Sequence, residues 1–279
     1  VFAEKCDIDD LGEFLDAGKI FENFGIEVRT NRVVFDHREF SEKEIPSFSE
    51  DIEKIGFWGY CISFDDPCDK GQVNLARTII KSSENGFVNF RISNPGGVLD
   101  SNTISPSVNL IQEVSRENDG FDNFRLGFGF GLDTETPFFP YSTMKGKKGF
   151  AVGLEYIDLI KEVVNKHSRR PISDIKIEIR DRICWLLDSV SEACNEVESQ
   201  TGLEFMGIDI SLAPYPYPLE DQSVADLIES IGNIARSRGD VEYKFGMNGT
   251  MFIHTFLTST LKEIVASGRY KTTGFNGVM

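Results

Sequence analysis

The chain has 279 residues, with 29 Lys and Arg against 45 Asp and Glu, and therefore a formal net charge of −16 at pH 7. This length allows one large domain or two smaller ones, and either can bury a substantial core. The acidic balance repels phosphate backbones and anionic lipid surfaces, so we expect no nucleic-acid partner and no membrane partner. Neither a leader pattern nor a long apolar run is found, and we expect a cytoplasmic protein.

Short apolar runs alternate with helical patterns along the chain, which predicts strand–helix–strand units and a largely parallel sheet. The predicted strands are 26–35, 57–64, 87–92, 123–131, 149–155, 204–212 and 272–278. Apolar residues at spacings of three and four predict a long helix over 172–200. We interpret it as a core helix rather than a coiled-coil seam, because Ile177, Trp185 and Leu187 widen its apolar face. No linker of inter-domain length is found, so a single domain over 1–279 is expected.

Capping residues predict where several helices begin. Asp9 and Asp10 precede an apolar helical pattern, and Ser105 followed by Pro106 is typical of an N-cap and a first helical residue. Ser223, with an aspartate three residues later, resembles a capping box. We expect these helices to pack on the sheet.

The segment 127–131 reads Gly-Phe-Gly-Phe-Gly and resembles a dinucleotide-binding loop. A helix must follow such a loop at once, because its N-terminus holds the pyrophosphate. Pro137 and Pro140 make that helix improbable here. We therefore interpret the segment as a strand whose glycines lie at crowded positions, and we expect no NAD cofactor.

Carboxylates occur where predicted strands end, which is where the sites of α/β sheets lie. These residues are Asp65, Asp66, Asp133, Glu135, Glu155 and Asp209. We single out Glu155 and Asp209 as candidate catalytic residues, because an unpaired charge in their apolar surroundings would be costly and each should have a partner. The pair suits acid/base chemistry or the binding of Mg²⁺ or another divalent cation. The alternative is that loop acids in such an acidic chain are simply solvated.

A turn over 246–250 precedes a predicted apolar helix. Backbone N–H groups at a helix start can hold an anion, so Asn248 and Thr250 are candidate ligand-binding residues. An ordinary N-cap role explains the same two residues equally simply.

Several blocks of the sequence together resemble the uncharacterised family catalogued as domain of unknown function 711. The blocks are 136–140, 150–155, 207–214, 221–225 and 275–279. The resemblance extends over most of the chain, and the blocks keep their order. It implies further segments before Val1 and after Met279. Ser211 and Asp221, which lie in the shared blocks, are added as candidate ligand-binding residues.

The same resemblance implies an α/β fold, a barrel of mostly parallel strands with surrounding helices. This barrel is similar to that of pyruvate formate-lyase and other glycyl radical enzymes, but it lacks the radical domain. No glycyl radical is expected, because the segment 268–270, Gly-Arg-Tyr, lacks the radical motif and the chain has no adjacent cysteine pair. The family supplies no reaction that could be carried over.

These observations favour a non-radical enzyme that acts on a small polar metabolite in the barrel mouth. Glu155 or Asp209 would serve as acid/base or cation ligand, and Asn248 and Thr250 would orient the substrate. The alternative is a non-catalytic metabolite-binding or regulatory protein on the same scaffold, forming a homo-oligomer through an exposed helix face.

Overall fold

The computed structural model describes residues 1–4, 11–92, 101–130, 135–143, 148–213, 223–235 and 242–279. Contacts divide the chain into two compact units. Unit 1 consists of Val1–Ala151 with Ala193–Met206, and unit 2 consists of Val152–Glu192 with Gly207–Met279. The expectation of a single domain stays a prediction. Among the described residues, none of the helices combines the length and apolarity that a membrane crossing requires.

Unit 1 contains a four-stranded sheet in which all neighbouring strands are parallel. Sheet order follows chain order: β1 (Arg32–Asp36), β2 (Gly59–Phe64), β3 (Gly86–Ile92) and β4 (Leu126–Phe130). Parallel neighbours need a crossover connection, and helices supply it between these strands. The predicted α/β class, with parallel strands and surrounding helices, is therefore confirmed.

Helices cover one face of this sheet and form the main hydrophobic core with it. They are α1 (Leu11–Asn23), α2 (Ile45–Ile55), α3 (Lys70–Ser82) and α4 (Ser101–Val114). Every second strand residue faces this core, as Val33 and Phe35 do on β1. The opposite face begins with a smaller apolar cluster that includes Val34, Cys61 and Phe87.

Four rings stack across the core face near the carboxyl ends of the strands. Ring centroids lie 5.0 Å apart between Phe64 and Phe90, 5.5 Å between Phe90 and Phe128, and 5.3 Å between Phe64 and His37. The sheet register places Phe64 beside Phe90 and Phe90 beside Phe128, so the stacking follows from the strand pairing. It holds the His37 ring at the carboxyl edge of the sheet.

The helix start predicted at Ser105 and Pro106 is wrong. α4 begins at Ser101, and Pro106 lies inside it. A proline there has no N–H for the carbonyl of Asn102, four residues earlier. The carbonyl of Asn102 instead accepts a hydrogen bond from the Cys68 thiol at 3.3 Å. A donor outside the helix thus replaces the missing N–H.

A second sheet pairs β5 (Phe150–Gly153) with β6 (Phe205–Asp209). The remaining helices are α5 (Ile157–Lys166), α6 (Ile172–Thr201), α7 (Val224–Ala235) and α8 (Thr250–Ala266). α6 confirms the predicted long helix. Leu187 is fully buried as expected, whereas Ile177 and Trp185 are 50% and 56% exposed and lie on its outer side. Ser223 caps α7 as predicted, because its hydroxyl accepts the N–H of Asp226 at 3.2 Å.

The strand predicted over 272–278 is not formed as a continuous strand. Only isolated bridges are present, from Ile208 to Thr272 and from Leu212 to Val278. Gly274 and Asn276 lie between them with φ values of 74° and 52°, in the left-handed region. A strand cannot continue through that conformation, and the chain turns there instead.

Candidate functional site

Asp209 ends β6 and is fully buried. Its Oδ1 accepts hydrogen bonds from the Ser211 N–H at 3.0 Å, the Ser211 hydroxyl at 2.6 Å and the Asn276 N–H at 3.2 Å. Its Oδ2 accepts the N–H of Phe275 at 3.2 Å. Asp209 therefore has the partners expected of a carboxylate in apolar surroundings.

The same bonds fasten the C-terminal segment of the chain to the end of β6. The Ser211 hydroxyl also accepts the N–H of Gly277 at 3.3 Å, and Asn276 Oδ1 accepts the N–H of Ile210 at 3.1 Å. A Cβ on Gly274 would lie 2.0 Å from Asp209 Oδ2, so the turn approaches the carboxylate too closely for any side chain. The structure thus brings Asp209 and Ser211 together, and both hold the C-terminal segment to the end of β6 by hydrogen bonds.

Tyr156 is a buried residue that contacts the same end of β6. Its hydroxyl donates a hydrogen bond of 2.5 Å to the carbonyl of Ile210. Burial, and secondarily the nearby charge of Asp209, raise the pKa of the Tyr156 hydroxyl, which therefore stays protonated. The carbonyl keeps its donor over the whole range in which proteins are folded.

Glu155 is exposed, so the expectation that it lies in an apolar environment is wrong. The strand predicted over 149–155 ends early, because β5 stops at Gly153 and Glu155 lies in the loop before α5. Its neighbour Tyr156 is the buried residue of the pair.

Asn248 and Thr250 lie in the turn that opens α8, but neither is its N-cap. Gly249 occupies that position with φ 108°. The Thr250 hydroxyl donates to the carbonyl of Met247 at 2.9 Å and lies 2.9 Å from the Tyr243 hydroxyl. Thr250 is thus used within its own turn, while Asn248 is exposed.

A different group of polar residues lies on the sheet of unit 1, on the face opposite the main core. The register aligns Asp36 with Ser63 and Ser63 with Asn89. Alternation from the small apolar cluster places all three on this face, and Asp65 and Arg91 follow two residues further along their strands. The face therefore changes from apolar to polar toward the carboxyl ends, where sites of parallel sheets lie.

Asn89 is the fully buried member of this group. Its Nδ2 donates to the carbonyls of Tyr141 and Ser142 at 3.3 and 3.2 Å and to the Thr143 hydroxyl at 2.9 Å. Carbonyls only accept, so these partners determine which end of the amide is nitrogen. Its Oδ1 has no hydrogen-bond partner among the described residues, and an unsatisfied buried acceptor costs about 1–3 kcal/mol.

Arg91 is held at the edge of the same face by a carboxylate. Its Nη2 donates to Asp65 Oδ1 at 3.0 Å, while its Nε is buried and has no partner in the described part of the chain. Arg38 pairs with two carboxylates: its Nη2 lies 3.5 Å from Asp65 Oδ2, and its Nε lies 3.0 Å from Asp36 Oδ1. Two guanidinium groups and two carboxylates thus form one network at the carboxyl edge.

His37 follows β1 in a short 3-10 turn. Its Nδ1 lies 3.0 Å from the carbonyl of Ser63 and 3.5 Å from Asp36 Oδ1. Because a carbonyl only accepts, Nδ1 carries the hydrogen, and Nε2 of the neutral ring is the acceptor. Nε2 makes no hydrogen bond within the described part of the chain. The ring can therefore take up a proton, with Asp36 positioned to stabilise the resulting charge.

A metal centre is not evident in the described ranges, where no group of three or more His, Cys, Asp or Glu side chains is arranged to hold an ion. Several predicted residues lie outside those ranges: Asp9, Asp10, Asp133 and Asp221. The role of Glu155 and Asp209 as cation ligands stays a prediction.

Sequence reasoning found Asp65 but missed His37, Asn89 and Arg91. A signal for Asn89 exists, because it is a polar residue inside the apolar strand 86–92, the same pattern that drew attention to Asp209. The signal is weaker than that of Asp209, because a buried neutral amide does not require a charged partner.

The family described as Uncharacterised ACR (DUF711) matches residues 7–279 of the chain. A comparison with curated proteins gives no significant match. The match spans nearly the whole sequence and confirms the family that its blocks resemble. That description assigns no reaction to the family.

Proposed function

The chain belongs to the DUF711 family, and we propose that it is an enzyme acting, without a radical cofactor, on a small polar metabolite. The proposed binding place is the carboxyl edge of the sheet β1–β4. It is supported by the group Asp36, His37, Arg38, Asp65 and Arg91, which combines an acid/base side chain with positive charge at the usual location of α/β sites.

The observation that carries this proposal is the determined tautomer of His37. Its Nδ1 hydrogen is committed to the Ser63 carbonyl, and Nε2 is left as a base. In the proposed step, Nε2 removes a proton from the metabolite, and the carboxylate of Asp36 stabilises the imidazolium. Arg38 and Arg91 supply donors for the negative charge that remains on the substrate.

The barrel that the family resemblance implies belongs to this proposal. Support comes from a parallel sheet with one helix-covered face and one face that is polar near the carboxyl edge, as the inner face of a barrel would be. In the proposal, Asp209 and Ser211 hold the C-terminal segment in place instead of acting on the substrate.

A non-catalytic metabolite-binding protein is the second candidate. It is favoured by the unpartnered atoms of Asn89 and Arg91, since groups that recognise a ligand need no turnover to explain them. Both candidates place the ligand at the carboxyl edge of the sheet, and they differ in whether the bound molecule is consumed.

Consumption of metabolites distinguishes the two candidates. Purified protein is incubated with a mixture of small carboxylic, phosphorylated and neutral metabolites, and their amounts are followed by mass spectrometry. We expect the enzyme to consume at least one of them. His37→Asn keeps a donor for the Ser63 carbonyl but has no base, so it should slow consumption by about 10²-fold or more. His254→Asn on α8 is the matched control and should leave the rate unchanged.

Two results would go against the proposal. If a metabolite is retained on the protein but never consumed, the chain is the binding protein. If His37→Asn consumes the metabolite as fast as the unmodified chain, the base is not at this edge of the sheet.

A further inference from the structure

Two polar atoms that lack a partner among the described residues belong to side chains on the polar face of the sheet. Asn89 Oδ1 is an acceptor and Arg91 Nε is a donor, and both are buried without a hydrogen bond. The two residues are separated by one position on β3 and therefore share a face, with their backbones about 6–7 Å apart. A ligand only a few atoms long can reach both.

Neither atom can be satisfied by rearranging the protein locally. Turning the Asn89 amide over would place Oδ1 against the carbonyls of Tyr141 and Ser142, which repel it. Rotating the guanidinium of Arg91 would break its ion pair with Asp65. The surroundings thus maintain one open acceptor and one open donor.

We infer that this pair of atoms selects a small carboxylic acid that also carries a hydroxyl or amino group. The inference rests on the proposed function, because it names the ligand class for the same edge of the sheet. A carboxylate is the natural partner of a guanidinium N–H, and Asn89 Oδ1 requires a donor on the ligand. A ligand with only one of these groups leaves one buried atom unsatisfied, and affinity falls accordingly.

Three nearly isosteric probes test this requirement on the unmodified protein. Glycolate has both a hydroxyl and a carboxylate, acetate lacks the hydroxyl, and glycolamide lacks the charge. Dissociation constants are measured by ligand-observed NMR at equal ionic strength. We expect glycolate to bind at least tenfold more tightly than either of the other two. Equal affinities for glycolate and acetate, or tighter binding of inorganic phosphate than of glycolate, would overturn the inference.

Variants assign each selectivity to its residue. Asn89→Leu should reduce the preference for glycolate over acetate to less than about twofold, and Arg91→Gln should do the same for the preference over glycolamide. The matched controls are the exposed residues Asn165 and Arg116, as Asn165→Leu and Arg116→Gln, which should keep both preferences. If Asn89→Leu does not fold, Arg91→Gln and the three probes still decide the question.

The two proposals fail in different ways. Selective binding of glycolate without consumption of any metabolite leaves the ligand class standing and overturns the enzyme. Consumption, dependent on His37, of a metabolite that lacks the carboxylate or the donor leaves the enzyme standing and overturns the ligand class.

Discussion

Asp209 and Asn89 are both fully buried polar side chains, but their surroundings satisfy them differently. Among the described residues, Asp209 accepts four hydrogen bonds from residues of unit 2. Asn89, in unit 1, shares the two hydrogens of its Nδ2 among three acceptors and accepts no hydrogen bond from the described residues through Oδ1. Burial alone therefore does not distinguish the two residues. They differ in that the carboxylate of Asp209 is satisfied, whereas Oδ1 of Asn89 is not satisfied by the described residues.

The difference follows from the backbone around each residue. The positive φ values at Gly274 and Asn276 turn the chain so that successive N–H groups converge on the carboxylate of Asp209. Asn89 lies in the interior of β3, where the neighbouring backbone groups are already paired with β2 and β4. The backbone groups that do reach the amide, the carbonyls of Tyr141 and Ser142, are acceptors and can pair only with its Nδ2.

The largest effect is expected for Asp209→Ala. The substitution leaves the N–H groups of Ser211, Phe275 and Asn276 without their acceptor, so the free energy of unfolding should fall by about 3 kcal/mol or more. Urea unfolding measures it. Glu162→Gln, an exposed change on α5, is the control and should stay within about 0.5 kcal/mol. A loss of unfolding free energy below about 1 kcal/mol would mean that this carboxylate does not hold the C-terminal segment to β6.

A smaller loss is expected for Asn89→Ala. Three acceptors lose their donor, but the unsatisfied Oδ1 disappears as well, so the net loss should be about 1–2 kcal/mol in the same urea experiment. A loss as large as that of Asp209→Ala would mean that Oδ1 has a partner in the folded protein, and the contrast between the two residues would not hold.

The smallest effect is expected at Glu229, an accessible carboxylate that also accepts a backbone N–H. The hydrogen bond from Phe245, 2.9 Å long, and then the Lys244 ammonium hold the pKa of this carboxyl below its ordinary value. A lowered pKa stabilises the fold above the unfolded pKa, and this contribution is lost as the pH falls through the folded pKa. Glu229→Gln should therefore reduce stability slightly at neutral pH, with the difference disappearing in acid.

Urea midpoints between about pH 7 and pH 3 test this prediction, because that range extends from above the usual glutamate pKa to below it. Lys244→Gln removes the ammonium that pairs with Glu229 and with Glu242 but leaves the Phe245 hydrogen bond. It should retain most of the pH dependence at Glu229, since the backbone bond is the larger cause. A stability difference between Glu229→Gln and the unmodified chain that is constant with pH would rule out the lowered pKa.

Local patterns predicted the regular parts of the molecule well. The helix α6 and the presence of four strands in unit 1 follow from apolar periodicity, which depends on neighbouring residues only. Two strand starts are wrong: the strand predicted over 26–35 begins at Arg32, and the strand predicted over 123–131 begins at Leu126, after a 3-10 helix. The crowded-glycine interpretation is confirmed at Gly127, where a Cβ would lie 3.1 Å from Pro140 Cγ and from its carbonyl oxygen. That glycine keeps room for the segment 136–143, which lies over the polar face.

The missed features depend on contacts between distant parts of the chain. The partners of Asn89 lie 52 to 54 residues further along, so no local pattern shows that one end of its amide is satisfied and the other is not. Inside α4, Pro106 leaves the carbonyl of Asn102 without a helical donor, and the donor that replaces it is the thiol of Cys68, 34 residues earlier in the chain. Asp209 was found because its charge stands out in apolar sequence, but its role depends on Gly274 and Asn276.

Cys61 lies beneath the segment 136–143, beside the polar face. Its buried thiol is 3.7 Å from the carbonyls of Pro140 and Ser142, and burial raises its pKa. We expect alkylation of Cys61 to need a displacement of the groups that bury it, this segment included, so that the rate reports how often the thiol becomes exposed. The exposed Cys68 supplies an internal standard in the same experiment. The alkylation rate of Cys61 thus measures access to the polar face of the sheet, and a bound ligand should lower that rate.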